Sequence, residues 1–210
     1  MVQIITIDGP ASSGKSSLAK KISLKYDSPI LYSGRLYRAV ALDIINQNIN
    51  LNNKSAILKC IKRINKKKLD SKDLFSRKVD LISSVISSKK YIRESLCEFQ
   101  KSFPKKYAKK NHYAIIEGRD IGTIIFPKAK YKIFMWADAE IRAKRRYEQI
   151  IKNGGKASIK TIYKEIVARD KKDMSRKIAP LKPAVNSVLL DTTYLDIEQS
   201  FNVIKSIISD

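Results

Sequence analysis

The sequence predicts an α/β fold, a doubly wound domain built on a five-stranded parallel sheet, and three observations carry that expectation. Five short β-rich apolar runs alternate with segments of helical period. A glycine-rich G-x-x-x-x-G-K-[ST] segment joins the first run to the first helix. The 210-residue chain suffices for one such domain, at about 150 residues each, with a smaller part inserted. Alternating strands and helices imply crossover connections, which set the strands parallel and cover both faces of the sheet.

The five runs are Val2 to Ile7, Pro29 to Tyr32, Tyr113 to Glu117, Tyr131 to Trp136 and Ser187 to Leu190. Leu18, Ala19 and Ile22 mark the first helix. Leu36, Val40 and Ile44 mark a second, Ile57, Ile61 and Ile64 a third, and Ile92, Leu96, Phe99 and Phe103 a longer one. Ile197, Phe201, Ile204 and Ile208 make the last apolar stripe, each set at helical spacing. Asp196 with Gln199 three residues on, preceded by Leu195, reads as the start of that last helix.

Composition changes between about Asn46 and Lys110, where the chain is rich in Lys and Ser and mostly helical by period, as in an inserted subdomain. A second polar region, Lys152 to Pro183, opens with Asn153-Gly154-Gly155 and closes with Ala179-Pro180-Leu181-Lys182-Pro183. Its ends have the chemistry of hinges, and it reads as a lid. The expected boundaries are a core at 1–33, 105–150 and 184–210, an insert at 34–104 and a lid at 151–183.

With 43% apolar and 30% charged residues, 7 Gly and 6 Pro, the chain is an ordinary globular one, which excludes collagen, coiled coil and disordered tail. Cys60, Cys97 and the one histidine, His112, have no metal-ligand or disulfide spacing, and a reducing cytoplasm fits them. His112, Trp136 and both cysteines read as core or edge residues. Lys66-Lys67-Lys68 and Lys105-Lys106 read as solvated faces. The 43 basic against 20 acidic residues leave a net charge of +23, which points to polyanionic partners. No apolar run approaches the roughly 18 residues of a membrane span. The N-terminus lacks the layout of a signal peptide, so a soluble, unexported protein is expected.

Gly9-Pro10-Ala11-Ser12-Ser13-Gly14-Lys15-Ser16, continued by Ser17, fits a phosphate loop in its proper place between strand and helix. Its glycines let successive N–H groups curl inward onto phosphate oxygens, and the helix N-terminus adds its positive end. Lys15 is expected on the β- and γ-phosphates of ATP and the Ser16 hydroxyl on Mg²⁺. No Asn-Lys-x-Asp base-reading motif follows, so a switch GTPase is not indicated.

A phosphotransferase also needs a second anionic site. Tyr32-Ser33-Gly34-Arg35-Leu36-Tyr37-Arg38 follows the second strand and Ile116-Glu117-Gly118-Arg119-Asp120-Ile121-Gly122-Thr123 the third, at strand C-termini where open α/β sheets place ligands. Arg142, Arg145 and Arg146 share one helical face, and Arg169, Asp173 and Arg176 another. Stacked arginines repel unless something anionic lies between them. Asp120 and Asp173 could also be structural partners of those arginines. The residues alone leave two classes open, a small phosphotransferase, with UMP, AMP or shikimate among its conceivable acceptors, and a basic nucleic-acid-binding ATPase whose scattered tyrosines stack on bases.

Ile-Asp-Gly-Pro ahead of the phosphate loop, Ser-Gly-x-x-Tyr-Arg, Gly-Arg-Asp-Ile-Gly-Thr-x-x-Phe-Pro, Arg-Asp-x-x-Asp-x-x-Arg and Ala-Pro-Leu-x-Pro-Ala together resemble the bacterial cytidylate kinase family, in order, over residues 2 to 45 and 84 to 208. The resemblance implies a P-loop kinase with a nucleoside-monophosphate-binding insert and a short lid. It implies Mg²⁺-dependent phosphoryl transfer from ATP to CMP and dCMP in pyrimidine nucleotide metabolism, by a monomer with no membrane association and no obligatory nucleic acid. Arg38, Arg119 and Arg176 would gather around the acceptor phosphate and, with Lys15 and Arg145, carry catalysis. Arg142 and Arg146 would serve the donor nucleotide. Ser84, Arg93 and Asp120 would face the base, and Ser33, Tyr37, Arg169 and Asp173 the nucleoside and sugar.

Two departures from the family stand out. Tyr32 replaces the usual Asp or Asn before Ser-Gly, and the insert from Asn46 to Ser83 is short and lysine-rich, with no trace of the family's small antiparallel sheet.

Overall fold

A computed structural model describes residues 2–108 and 113–208. The expectation for His112 lies outside the described residues. The strands are β1 (Gln3–Asp8), β2 (Ile30–Tyr32), β3 (Tyr113–Gly118), β4 (Tyr131–Trp136) and β5 (Val188–Asp191), each within a residue of the run that predicts it. They form one sheet in the order β2-β3-β1-β4-β5. β1 runs parallel to both neighbours, with Ile5 opposite Ile115 and Ile7 opposite Ile133, and β5 runs parallel to β4. The chain moves outward from β1 to β2 and then returns to both sides of β1. The C-terminal end of β1 is therefore the switch point of the sheet, where ligands of such folds bind.

The chain divides into two compact units, Met1–Leu31 with Pro104–Asp210, and Tyr32–Phe103. In the first, Ile5, Ile7, Ala114, Ile115, Ile116 and Ile133 are buried together with Leu18, Ala19 and Ile22 of α1 (Lys15–Tyr26) and Phe201, Ile204 and Ile208 of α9 (Ile197–Ile208). Strands covered on both faces need no polar alternation, which is why these read as continuous apolar runs. α7 (Ala139–Lys152) and α8 (Ile159–Ser175) pack through Ala143, Ile162 and Ile166, with Tyr147 and Ile150 at the edge. α9 starts with a reciprocal capping box. The Asp196 N–H donates to Gln199 Oε1 at 2.9 Å, and the Gln199 N–H donates to Asp196 Oδ1 at 2.8 Å.

The second unit is helical. It holds α2 (Ser33–Asn46), α3 (Lys54–Lys62), α4 (Lys66–Leu69), a 3₁₀ turn at Lys72–Phe75, α5 (Arg77–Ile86) and most of α6 (Lys90–Tyr107). Among the described residues no strand lies wholly inside it. α2 packs on α5, burying Leu36, Val40 and Ile44 of one and Val79 and Ile86 of the other. Local caps start the short helices. The side chains of Asn53, Asn65, Ser71 and Ser76 accept from the amides of Ala56, Lys68, Asp73 and Val79.

Two expectations for this unit are corrected. α3 stops at Lys62, so Ile64 lies outside the helix its spacing suggests. Lys66 and Lys67 are exposed, but Lys68 is only half-exposed, its Nζ 2.5 Å from the buried carboxylate of Asp43 on α2. No helix among the described residues is long and apolar enough to cross a membrane.

Replacing Asp196 by Ala removes one half of the α9 capping box and should cost about 1 kcal/mol. The checking measurement is urea unfolding, with a lower midpoint at unchanged slope.

Candidate active site

The phosphate loop leaves β1 through Gly9, whose φ is +147°. A side chain at this position would lie 2.1 Å from the Met135 carbonyl oxygen of β4, so only glycine allows the close approach. The loop then curls through Ser12 and Gly14, both at positive φ, into α1, which starts at Lys15 with no side-chain cap. The first amides of α1 are thus left for an anion. Inside the curl, Lys15 Nζ donates to the Pro10 carbonyl at 2.5 Å and to Ser13 Oγ at 3.3 Å. The Ser13 hydroxyl itself donates to the Pro10 carbonyl.

Two carboxylates from neighbouring strand ends meet this loop. Glu117, at the end of β3, accepts from the Ser16 hydroxyl at 3.0 Å and stands 3.9 Å from Lys15 Nζ. A hydroxyl and a carboxylate are hard oxygen donors, the chemistry that suits Mg²⁺. Asp8, at the end of β1, accepts from the amides of Ile121 and Gly122 at 2.9 and 2.7 Å. It thereby anchors the single π turn Ile121–Ile125 that follows Asp120. A side chain at position 122 would sit 2.9 Å from Thr6 Oγ1, so glycine lets this turn close onto β1.

Burial pushes the Asp8 carboxyl up to about 7, against the two amide hydrogen bonds that favour its charge. Burial, and next the field of Arg119, push the Lys15 ammonium down to about 7. Glu117 and Asp8 pull it back, and Arg169 adds to the pressure. Lys15, Arg119 and Arg169 thus form a cationic cluster whose lysine is only partly compensated, and an entering polyphosphate would relieve it.

Arg119 follows β3. Its Nε donates to Asp173 Oδ2 at 3.2 Å and its Nη1 to the Gly118 carbonyl. Asp173 also lies 3.6 Å from Arg176 Nη1, so one carboxylate of α8 holds two of the expected acceptor arginines. Arg176 itself is not on the helical face its spacing suggests. α8 ends at Ser175, Arg176 adopts extended backbone, and its Nε donates to the Ala179 carbonyl at 2.5 Å. Ala179 has a φ of +50°, and Leu181 donates its N–H to the Asp173 carbonyl. The expected hinge at Ala179-Pro180 is therefore tied to the end of α8. Asp120 is 5% exposed and accepts the Ile124 and Ile125 amides through its carbonyl.

The three arginines of α7 part company. Arg142, 1% exposed, donates from Nε to the Ala137 carbonyl at 2.7 Å and from Nη1 to the Ala11 carbonyl of the phosphate loop at 3.2 Å. Its Nη2 pairs with Asp170 of α8 at 2.6 Å, and the Trp136 ring lies 5.5 Å from its guanidinium carbon. Trp136 is 37% exposed, an edge residue. Arg145 donates to the Thr192 and Leu195 carbonyls, and burial lowers its proton affinity. The Thr192 hydroxyl reaches the Ser13 carbonyl at 3.1 Å, which fixes the loop after β5 against the phosphate loop. Arg146 donates to Gln149 at 2.8 Å. Each of these arginines thus has protein acceptors of its own, carbonyl oxygens, Asp170 or Gln149.

Within the Tyr32–Phe103 unit, Ser33 is buried at the start of α2. Arg93, 9% exposed, donates to the Ser87 carbonyl at 2.9 Å and stacks 5.6 Å from the Tyr37 ring centre. Ser84 stands on α5, its carbonyl accepting from the Ser87 hydroxyl. Arg38 pairs with Asp80 and donates to the Leu74 carbonyl.

Asp8, Glu117, Asp170 and Thr192 are site residues that sequence reading misses. For the first three a signal exists, since each lies within a motif segment: Asp8 in Ile-Asp-Gly-Pro, Glu117 in Ile116-Glu117-Gly118-Arg119 and Asp170 in Arg-Asp-x-x-Asp-x-x-Arg. For Thr192 there is none.

Residues 5–210 match the family model described as Cytidylate kinase. A cytidylate kinase of Rhodopseudomonas palustris is 40% identical over 93% of this chain and 90% of its own length. One of Bartonella tribocorum is 39% identical over 98% of this chain and 94% of its own. Among solved structures, TT1252 from Thermus thermophilus superposes with a TM-score of 0.56 at 15% identity, covering 100% of this chain and 99% of that one, a likeness of fold.

The raised Asp8 carboxyl gives a signed pH effect. Folded Asp8 keeps its proton up to about 7, while the ordinary value is 3.8. Its contribution to stability is therefore full below about pH 4 and is lost as pH rises through about 7. In Asp8→Asn, the thermal midpoint should no longer fall over that window, as read by melting curves from pH 4 to 8.

Proposed function

Since the chain belongs to the cytidylate kinase family, we propose that it transfers the γ-phosphoryl group of ATP to CMP and dCMP, yielding ADP with CDP or dCDP, in a Mg²⁺-dependent reaction. One observation above all supports this: a phosphate loop whose buried Lys15 is pressed by Arg119 and Arg169, at the switch point of a parallel sheet. The acceptor is a phosphate monoester already anionic at neutral pH, so no general base is needed. The work left is to hold two like-charged phosphates in line and to neutralise their repulsion.

Lys15 and the amides opening α1 would hold the donor's β- and γ-phosphates. The Ser16 hydroxyl and, through it, Glu117 would hold Mg²⁺, which would supply positive charge to offset that of the donor's phosphates. Arg119 and Arg176, gathered by Asp173, would take the acceptor phosphate, as would Arg38 in the helical unit. Arg169, Asp173, Ser33 and Tyr37 would hold the nucleoside and sugar. Arg145 and Arg146 would serve the donor, the first through the Thr192 to Leu195 loop it anchors. Arg142 would act on the donor only through the phosphate-loop backbone, because its donors go to protein atoms.

Residues 151–183 would act as the lid, moving between Gly154, at a φ of +75°, and the turn at Ala179-Pro180. Its closure would exclude water and so prevent wasteful hydrolysis of ATP. For the base, a carboxylate such as Asp120 matches the 4-amino donor of cytosine, and a donor such as Arg93 or Ser84 matches its ring acceptors. Uracil presents the opposite polarity at the amino and N3 positions. The family resemblance supports a monomer, and the free thiols of Cys60 and Cys97 support a reducing cytoplasm.

Coupled ADP production with CMP, dCMP, UMP, AMP or no acceptor checks the reaction, with turnover expected to depend on acceptor and to be led by CMP and dCMP. Equal ADP release without acceptor, rising with added RNA, would refute it. Lys15→Ala should lower kcat by on the order of 10²–10³ with an unchanged far-UV spectrum. Asp120→Ala should narrow the CMP-over-UMP ratio of kcat/KM by about tenfold, the equivalent of one unmatched hydrogen-bonding group; an unchanged ratio would remove Asp120 from base reading.

A further inference from the structure

The helical unit contains a carboxylate, Asp80, that phosphoryl transfer, as proposed above, leaves unused. Asp80 stands in the first turn of α5, and its Oδ1 pairs with Nη2 of Arg38 on α2. Arg38 Nη1 donates to the Leu74 carbonyl at 2.8 Å, and the Phe75 ring centre lies 5.4 Å from the guanidinium carbon. One edge of the guanidinium is therefore held by backbone, one face by an aromatic ring, and the remaining corner by a carboxylate.

The pair is not what joins the two helices. α2 and α5 already bury Leu36, Val40, Val79 and Ile86 at no more than 1% exposure, and the Leu74 carbonyl and Phe75 ring orient Arg38 without Asp80. Nor is it an ordinary surface pair. The Arg38 and Asp80 side chains are 16% and 22% exposed, whereas the neighbouring Arg35 is bonded to an Asp70 side chain that is 63% exposed. Screening by salt weakens the second far more than the first.

We infer that Asp80 is a built-in competitor for the acceptor's phosphate: it occupies the corner of Arg38 that an incoming phosphate monoester must take over. This rests on the acceptor-binding role proposed for Arg38. A carboxylate brings one negative charge and two oxygens. A phosphate monoester near neutral pH brings up to two charges and three oxygens, and matches the guanidinium fork at least as well. Exchange thus lets a phosphate dianion displace the carboxylate from this corner. Asp80 is by this account a residue that sets the affinity for the acceptor's phosphate. It weakens the apparent affinity of every acceptor by the fraction of time Arg38 is engaged.

Steady-state kinetics on the full chain test it, comparing wild type with Asp80→Asn, Asp80→Glu and Arg38→Met, and using inorganic phosphate as a competitive probe against CMP. In Asp80→Asn, the KM for CMP and the inhibition constant of inorganic phosphate should both fall, by about fivefold for a half-buried pair, while the KM for ATP stays the same. Asp80→Glu, which keeps the charge, should retain the wild-type pattern and serves as the second variant should the amide disturb folding. If Asp80→Asn instead raises the KM for CMP, or leaves it and the phosphate inhibition constant unchanged, while Arg38→Met raises that KM strongly, the competitor role is overturned and Arg38 keeps its place. If Arg38→Met leaves the KM for CMP unchanged, the acceptor role of Arg38 itself fails and the inference falls with it.

Discussion

A buried ammonium must be met by anions or lose its proton, and Lys15 is held between those outcomes. Burial and the nearby arginines work against its charge, and Glu117, Asp8 and the Pro10 carbonyl work for it. The surroundings follow from that balance. Gly9 lets the loop that carries Lys15 pass close to the Met135 carbonyl, where any side chain would clash. Asp8 must accept two amides of the following π turn, since a buried carboxylate without them would be costlier still. A polyphosphate in this loop, as the proposed donor site requires, would resolve the conflict.

A second arrangement supports the first from below. Arg142 has its polar atoms on the Ala137 and Ala11 carbonyls and on Asp170, so the end of β4, the phosphate loop and α8 share one guanidinium. Truncating it would leave a buried carboxylate without its cation, a costly defect. Arg145 does for the Thr192 to Leu195 loop what Arg142 does for the phosphate loop. The arginines of α7 are thus largely framework, whereas Arg119 and Arg176 both meet the carboxylate of Asp173.

The net charge of +23 has a simple distribution. Glu117, Asp43, Asp80, Asp170 and Asp173 are each engaged with a lysine or arginine, and the 43 basic residues still outnumber the 20 acidic ones. Positive potential over the surface favours encounter with nucleotides. In the helical unit, where lysines crowd short segments, order comes from capping side chains at Asn53, Asn65, Ser71 and Ser76 and from the apolar contact of α2 with α5.

The sequence by itself determined the strands, the phosphate loop and the last helix, because their signals are local: five buried runs bounded by turns, a G-x-x-x-x-G-K-S segment whose glycines have one use, and a capping box written in Asp196 and Gln199. The family motifs likewise mark Arg119, Asp173 and Arg176 before any coordinates exist. Tertiary structure decided what those side chains touch. Spacing put Arg142, Arg145 and Arg146 on one face, yet packing sends one to the phosphate loop, one to the loop after β5 and one to Gln149. Spacing extended α3 to Ile64 and α8 to Arg176, and neighbouring turns ended both earlier. Asp8, Glu117 and Thr192 gained their partners only across strands far apart in the chain. A hydrogen bond between residues a hundred positions apart leaves no period in either segment, so only the fold could reveal it.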